Sequence, residues 1–264
     1  MTNTPRVEIR TALTLDADPS KELKADLYLP PECGAERRPA VVLIFGGGWR
    51  EGDRSQQKFY GLALAQAGFV CLATDYRPST RAHWPAQLDD VRTAVTWLRG
   101  QADEFQIDMG RIAVSGNSSG GHLALMVAAA QSEGPEDGET EANASSVGAV
   151  CAFYPPTRLQ GLDAESEDDT VRSLLGSGAS REAYRRASPL AYAANRWPPV
   201  LLLAGAEDAR VPVRHTLDLH QALVEAGNTV ELHVFAGLGH AFDLQRDRAE
   251  LAAGIVIRFL REYL

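Results

Sequence analysis

Apolar runs alternate with amphipathic stretches along nearly the whole chain. "ADLYLP" (25–30) alternates like a strand, and "PAVVLIFGG" (39–47) is a continuous apolar run closing on glycines, the pattern of a strand buried on both faces. "FVCLATDY" (69–76), "RIAVSG" (111–116), "VGAVCAFY" (147–154), "VLLLAG" (200–205) and "VELHVF" (230–235) read the same way. Between them lie helical patterns. "QQKFYGLALAQAG" (56–68) stops at Gly68, and the stretch from Pro85 spaces Leu88, Val91, Val95 and Leu98 at helical intervals. "SGGHLALMVAAA" (119–130), "VRHTLDLHQALVEAG" (213–227) and "RAELAAGIVIRFLREYL" (248–264) complete the set. Strand–helix alternation predicts a parallel sheet with helices on both faces, joined by right-handed crossovers.

Two stretches break the rhythm. "QSEGPEDGETEANAS" (131–145) is acidic and carries Gly and Pro, so it reads as a solvated loop. Residues 155–199 are too many for a simple connection between core strands and carry short helical patterns; they read as an excursion covering one end of the sheet. There is no internal repeat and no second independent core.

Composition narrows the functional classes. A net charge of −9 repels phosphate backbones, and the three lysines (Lys21, Lys24, Lys58) form no basic cluster, which argues against nucleic acid and membrane surfaces as partners. The longest apolar run, 123–130, is far shorter than a membrane span. Cys33, Cys71 and Cys151 are far apart, odd in number and free of metal-type spacing, which points to a reducing compartment. With no signal-peptide pattern at the N-terminus, the expected location is cytoplasmic.

The chemistry starts at the joint between the strand at 111–116 and the helix at 119–130, where the chain reads Gly-Asn-Ser-Ser-Gly. A serine at a sharp strand-to-helix turn stands clear at the C-terminal end of the sheet, beside N–H groups that favour an anion. The turn is crowded, so its flanks must be small; Gly116 and Gly120 meet that need around Ser118, giving a G-x-S-x-G elbow. A serine hydroxyl needs a base, and the base an orienting acid. "AEDARVP" after the strand at 200–205 offers Glu207 and Asp208, and "AGLGHAF" after the strand at 230–235 offers His240. Asp208 is the expected acid, with Glu207 as a neighbour or a backup. Donors for an oxyanion would come from the Ser119 N–H and from the glycine turn "FGGGWREGD" (45–53), where Trp49 suits a pocket wall or a packing anchor.

The remaining histidines have structural readings. His233 lies within a strand, His83 in a loop, and His215 and His220 are five apart on one helix, wrong for a shared metal. His122 opens the elbow helix and is read as a brace for that turn. No metal-site spacing, phosphate loop or dinucleotide fingerprint is present, so no cofactor is expected.

Taken together, "FGGGW", "DYRPSTRAHWPAQLDDVRTAVTWLR", "GNSSGGHLAL", "GAEDARVP" and "GLGHAF" resemble, in order, the motifs of the α/β-hydrolases, and within them the hormone-sensitive-lipase-like and feruloyl-esterase-like carboxylesterases. The resemblance implies an α/β-hydrolase fold, a mostly parallel sheet of about eight strands with a small cap-like excursion, in a single domain over 1–264. It implies Ser118 as nucleophile, Asp208 as acid and His240 as base, with Gly46, Gly47 and Ser119 supplying the oxyanion N–H groups. Two positions depart from the family pattern: Phe45 stands where His is usual, and Ser119 where Ala is usual. Phe45 is expected to sit in an apolar niche under the glycine turn.

The implied function is hydrolysis of small carboxylic esters through an acyl-enzyme. A formamidase or amidase of the same fold is the alternative, and a ligand-binding module that has lost catalysis is a third reading, which the intact Ser118, Asp208 and His240 oppose. Trp49, Tyr154 and Trp197 are expected to converge near Ser118 and limit the acyl group; Trp197 is read equally as an anchor of the excursion. The expected partner is a small-molecule ester. The choice between monomer and homodimer stays open.

Overall fold

The computed structural model describes residues 6–18, 20–31, 36–132, 145–162 and 169–264. Eight strands form one sheet in the order β1-β2-β4-β3-β5-β6-β7-β8. They are β1 (Glu8–Thr14), β2 (Lys24–Leu29), β3 (Arg38–Ile44), β4 (Val70–Thr74), β5 (Ile107–Asn117), β6 (Ala149–Phe153), β7 (Val200–Gly205) and β8 (Val230–Phe235). β2 runs antiparallel to both β1 and β4, and the rest of the sheet is parallel.

The continuous apolar runs take the centre. Every residue of β4, β6 and β7 is buried, because helices cover both faces. Along β3, Ala40, Val42 and Ile44 face one core and Val41 and Leu43 the other. The first core is closed by α2 (Ala86–Gly100), α3 (Ser119–Ser132) and α6 (Arg214–Glu225). The second is closed by α1 (Lys58–Gln66) and α7 (Arg246–Tyr263), through residues such as Leu64, Val256 and Phe259. Each fully buried Leu, Val or Phe contributes roughly 1.5–3 kcal/mol relative to its exposed state.

β1 is the one strand the hydrophobic pattern does not reveal. Six of its seven residues are exposed and it pairs only with β2, with an irregular register between Arg10 and Leu13. An edge strand that faces water has no apolar run to advertise it, and charges such as Glu8 and Arg10 keep it from pairing further.

The excursion contains α4 (Thr170–Leu175), α5 (Arg181–Arg186) and a 3-10 turn at Pro189–Tyr192. It is tied to the body at several points. Trp84 N–H donates to the Leu174 carbonyl at 2.9 Å, and within the excursion Leu190 N–H donates to the Thr157 carbonyl at 3.0 Å. Thr157 Oγ1 donates to the His215 carbonyl at 2.7 Å. Most of the acidic stretch read as a solvated loop, residues 133–144, lies outside the described residues, as does Cys33. Among the described residues no helix is long and apolar enough to cross a membrane.

Candidate active site

Ser118 sits between β5 and α3 with φ at +52°, a left-handed conformation that costs a non-glycine residue on the order of 1 kcal/mol. The turn is pinned from both sides: Ser118 N–H donates to the Phe153 carbonyl at 2.9 Å, and the Ser118 carbonyl accepts from His122 N–H at 2.9 Å. The elbow tolerates only glycine at its flanks. A Cβ on Gly120 would stand 2.2 Å from the Ile44 carbonyl oxygen, and one on Gly116 would stand 2.4 Å from Gly120. The helix packs against the end of β3 with no room for a methyl group.

The two downstream loops converge on this serine. His240 Nε2 lies 2.9 Å from Ser118 Oγ, and His240 Nδ1 lies 2.7 Å from Asp208 Oδ2. A carboxylate can only accept, so Nδ1 carries the proton and Nε2 is left to accept from the serine hydroxyl. The other Asp208 oxygen accepts the backbone N–H groups of Arg210 at 2.9 Å and Val211 at 2.8 Å. The Asp208 side chain is fully shielded from solvent and that of His240 is 17 % exposed. Glu207 is exposed, and its N–H donates to the Leu238 carbonyl. Asp208 is the acid in contact with the imidazole. This chain of contacts can move the serine proton onto a held imidazole as the oxygen attacks an electrophile.

The glycine turn after β3 is held by packing. Phe45 is buried and stacks on Tyr76, ring centroids 4.3 Å apart and 9° from parallel. The Tyr76 hydroxyl lies 3.3 Å from both the Phe45 carbonyl and Ser119 Oγ. The niche expected beneath the turn is therefore present, with Tyr76 as its floor. Gly47, at φ +136°, could not carry a Cβ, which would stand 1.9 Å from the Glu51 carbonyl oxygen. Trp49 is buried at φ +59°, and its indole N–H donates to His122 Nδ1 at 3.2 Å. An indole N–H can only donate, so His122 accepts there and donates from Nε2 to the Ala187 carbonyl at 2.7 Å. His122 thus ties glycine turn, elbow helix and excursion together, and burial lowers its pKa to about 4.

Two cavities open beside Ser118. A small one of about 30 Å³ is lined by Trp49, Ser119, Pro156, Leu162, Thr170 and Val211 among others. A larger one of about 520 Å³ is bounded by Gly46, Gly47, Gln57, Tyr60, Tyr154 and Asp243 among others. Gly48, Ser118 and Arg210 border both. The three aromatics expected to converge do not share one wall. Trp49 borders the small cavity and Tyr154 the large one, its ring 4.6 Å from that of His240. Trp197 lines neither. Its indole N–H donates to the Tyr192 carbonyl and its backbone N–H to Asn228 Oδ1, both at 2.9 Å, so it anchors the returning excursion instead of bounding the pocket.

The sequence reading missed Asn117, Tyr60, Gln57, Arg210 and Asp243. Asp243 alone left a signal: a carboxylate three residues after His240 in the apolar context "HAFDL". The others are polar residues on elements recognised for their apolar spacing.

The BD-FAE family model matches residues 25–223, well over half of the chain; the match includes Ser118 and Asp208 and ends before His240. Esterase LipC of Mycobacterium tuberculosis is 34% identical over 219 residues, which are 78% of this chain and 54% of that protein. Esterase LipQ of the same organism is 28% identical over 91% of this chain and 59% of its own length. The chain thus spans little more than half the length of these relatives. Among solved structures, a truncated carbohydrate esterase from gut microbiota superposes with a TM-score of 0.83 at 23% identity, over 100% of this chain and 98% of that one, which is a likeness of fold. An esterase of Thermogutta terrifontis with butyrate bound superposes with a TM-score of 0.80 at 28% identity, over 98% of this chain and 95% of that one. Fold, ordered motifs and family model agree: the chain has the α/β-hydrolase fold and belongs to the BD-FAE family.

Proposed function

We propose that this chain is a serine carboxylesterase, a single domain that hydrolyses small esters with Ser118, His240 and Asp208 as its triad. The observation that carries the reading is the unbroken contact from Asp208 through His240 to Ser118, at 2.7 and 2.9 Å. Ser118 Oγ attacks the ester carbonyl carbon while its proton passes to His240 Nε2. The carbonyl oxygen, now an anion, is held by the N–H groups of Gly46, Gly47 and Ser119. As the tetrahedral species collapses, the carbon–oxygen bond to the alcohol breaks and Nε2 gives its proton to the leaving oxygen. Water then attacks the acyl-Ser118 ester, again losing its proton to Nε2. Collapse of the second tetrahedral species releases the acid and returns that proton to Ser118. No step needs a cofactor.

The two cavities support a division of the substrate. The narrow side, about 30 Å³, holds little more than two water-sized volumes and suits a short acyl group. The open side, about 520 Å³, accommodates the alcohol. Butyrate in the Thermogutta esterase is in keeping with a short acid. Cys71 and Cys151 are buried free thiols, which supports the cytoplasm as the working compartment.

An active-site phosphonate with peptide mapping tests the reading. The wild-type chain is expected to be labelled once, at Ser118, with loss of activity. Ser118→Ala should take no label and retain only residual turnover, while Ser119→Ala should keep most activity because only its N–H is used. Labelling at Ser119, or an active Ser118→Ala, overturns the assignment.

A further inference from the structure

Asp208 is not the only carboxylate that bears on His240. Three residues downstream, Asp243 is buried, and it accepts hydrogen bonds from three other segments of the chain. Its Oδ2 takes the Tyr60 hydroxyl of α1 at 2.8 Å and the Asn117 amide at 2.6 Å, and its Oδ1 takes the Tyr154 hydroxyl. The Asn117 amide nitrogen also donates to the Tyr154 hydroxyl at 3.2 Å. Asn117 Oδ1 accepts from Gln57 Nε2 at 3.0 Å, and the same nitrogen reaches the Ile44 carbonyl at 3.3 Å. One carboxylate therefore joins the end of β3, the residue before Ser118, the tyrosine after β6 and the turn that carries His240.

The backbone at these joints is under strain. Ser118, Tyr154 and Ala241 are non-glycine residues with φ of +52°, +37° and +54°. Such conformations persist where the surroundings over-determine them. Ala241 lies between His240 and Asp243, so Asp243 closes the strained turn from its far side. A buried carboxylate is costly unless its lone pairs are satisfied, and apolar packing of the same volume is often at least as stable. Stability alone thus gives no reason for a charge here. Burial, with the Asp243 charge behind it, pushes the Tyr60 and Tyr154 hydroxyls upward, so both remain donors.

We propose that Asp243 is a positioning residue: with Tyr60, Asn117 and Tyr154 it latches the turn bearing His240 onto the strand end bearing Ser118, and so sets the separation across which the proton moves. The proposal rests on the reading of Ser118 and His240 given above. Asp208 orients the imidazole through Nδ1. Asp243 instead fixes the backbone on which that ring is mounted and, through Tyr154, the surface it rests against. A misplacement of about 1 Å at a reacting pair can cost on the order of a hundredfold in rate.

The test uses the full chain as wild type, Asp243→Asn and Tyr60→Phe, a short-chain nitrophenyl ester, and a phosphonate label that counts competent sites. Tyr60→Phe keeps its ring against Phe153, 5.3 Å away, and removes one of the three donors, so it serves if Asp243→Asn fails to fold. The expected result is a kcat per labelled site lower by roughly 10- to 100-fold in Asp243→Asn and about 3- to 10-fold in Tyr60→Phe. KM should move less than about threefold, and the rate of phosphonylation should fall in step with kcat, since both need a serine activated by His240. An unchanged kcat per labelled site with only a lower melting temperature would make the cluster structural. A change confined to KM would make Asp243 a substrate contact. Either result overturns the latch while leaving the triad intact. A wild-type chain that takes no label at Ser118 sinks the triad reading and the latch together.

Discussion

The two walls that flank Ser118 are built by different means. On the narrow side, Trp49 lines the space with Leu162 and Pro156 of the excursion and meets His122 edge-on at 5.1 Å, while Phe45 lies on Tyr76 beneath the glycine turn. Rings and glycine sterics hold that wall. On the open side much of the lining is apolar, with Phe59, Leu244 and Ala249, but Gln57, Tyr60, Asn117 and Asp243 bond to one another within it. A wall held by packing fixes size and should register damage as lost stability. One held by hydrogen bonds around the imidazole fixes geometry and should register damage as lost turnover.

The largest expected effect falls on the hydrogen bonds that hold the imidazole. Asp208→Asn keeps the shape but removes the acceptor that holds the proton on His240 Nδ1. Turnover should fall by about 10⁴, as in other triads that lose the acid, with little change in melting temperature. Glu207→Gln, at an exposed position, should cost far less. Comparable losses at both would remove the distinction between these neighbours.

The matching experiment on the packed rings beneath the glycine turn is Phe45→Ala. Loss of a buried, stacked ring should cost roughly 3–5 kcal/mol in unfolding free energy, read as a shift in denaturant midpoint. Phe45→His keeps a ring and should cost less. If Phe45→Ala leaves the midpoint unchanged but lowers kcat a hundredfold, the two walls do not divide the work as described.

A smaller effect concerns His122, which backs Trp49 on the narrow side and is titratable. Its folded pKa is lowered from 6.5 to about 4 by burial, the Ala187 carbonyl opposing weakly. Between those values the unfolded chain holds a proton there that the folded chain refuses, so stability falls as pH falls through this window. Above pH 6.5 both states are neutral and the contribution is flat. One proton gives at most about 1.4 kcal/mol per pH unit, or roughly 3 kcal/mol across the window. His122→Gln can still accept from Trp49 and donate to Ala187, so its midpoint should vary less between pH 6.5 and 4.5 than that of the wild type. Equal slopes would show that the buried imidazole is not the group responsible.

How much of this was legible beforehand follows the same division. Buried strands announce themselves as apolar runs, and the elbow as glycines no other residue can replace, so β2 to β8, Ser118 and the loops of Asp208 and His240 were readable in order. β1 was not, because an edge strand exposed on most of its length shows no apolar run. Phe45 was readable as a packing element because an aromatic in place of a polar brace has one economical use. The polar cluster was legible only in pieces: Tyr154 reads as a ring near the site and Asp243 as a carboxylate close behind His240, but nothing in the sequence joins them to Tyr60 and Asn117 from distant segments. Trp197 shows the converse error, since a large ring near a strand end looks alike in sequence whether it bounds a pocket or anchors a loop.

The smallest effect sharpens the comparison most finely. If the acyl group enters the narrow side, whose space is about 30 Å³, each methylene that fits should add about 0.8 kcal/mol of burial, and the first that does not should reverse the trend through strain against Trp49 or Leu162. In a series of nitrophenyl esters of graded acyl length, kcat/KM should therefore peak at acetyl to butyryl and fall steeply beyond about eight carbons. Lengthening the alcohol at a fixed acetyl group should change kcat/KM gradually, because the open side of about 520 Å³ bounds it loosely. Trp49→Ala should move the acyl optimum toward longer chains, at some cost in stability because His122 Nδ1 loses its donor. Tyr154 borders only the larger of the two cavities, so Tyr154→Phe should leave the acyl optimum where it is while lowering kcat through the lost bond to Asp243. A wild-type optimum at long acyl chains, or an optimum that shifts with Tyr154 and not with Trp49, would exchange the roles of the two sides and leave the triad standing.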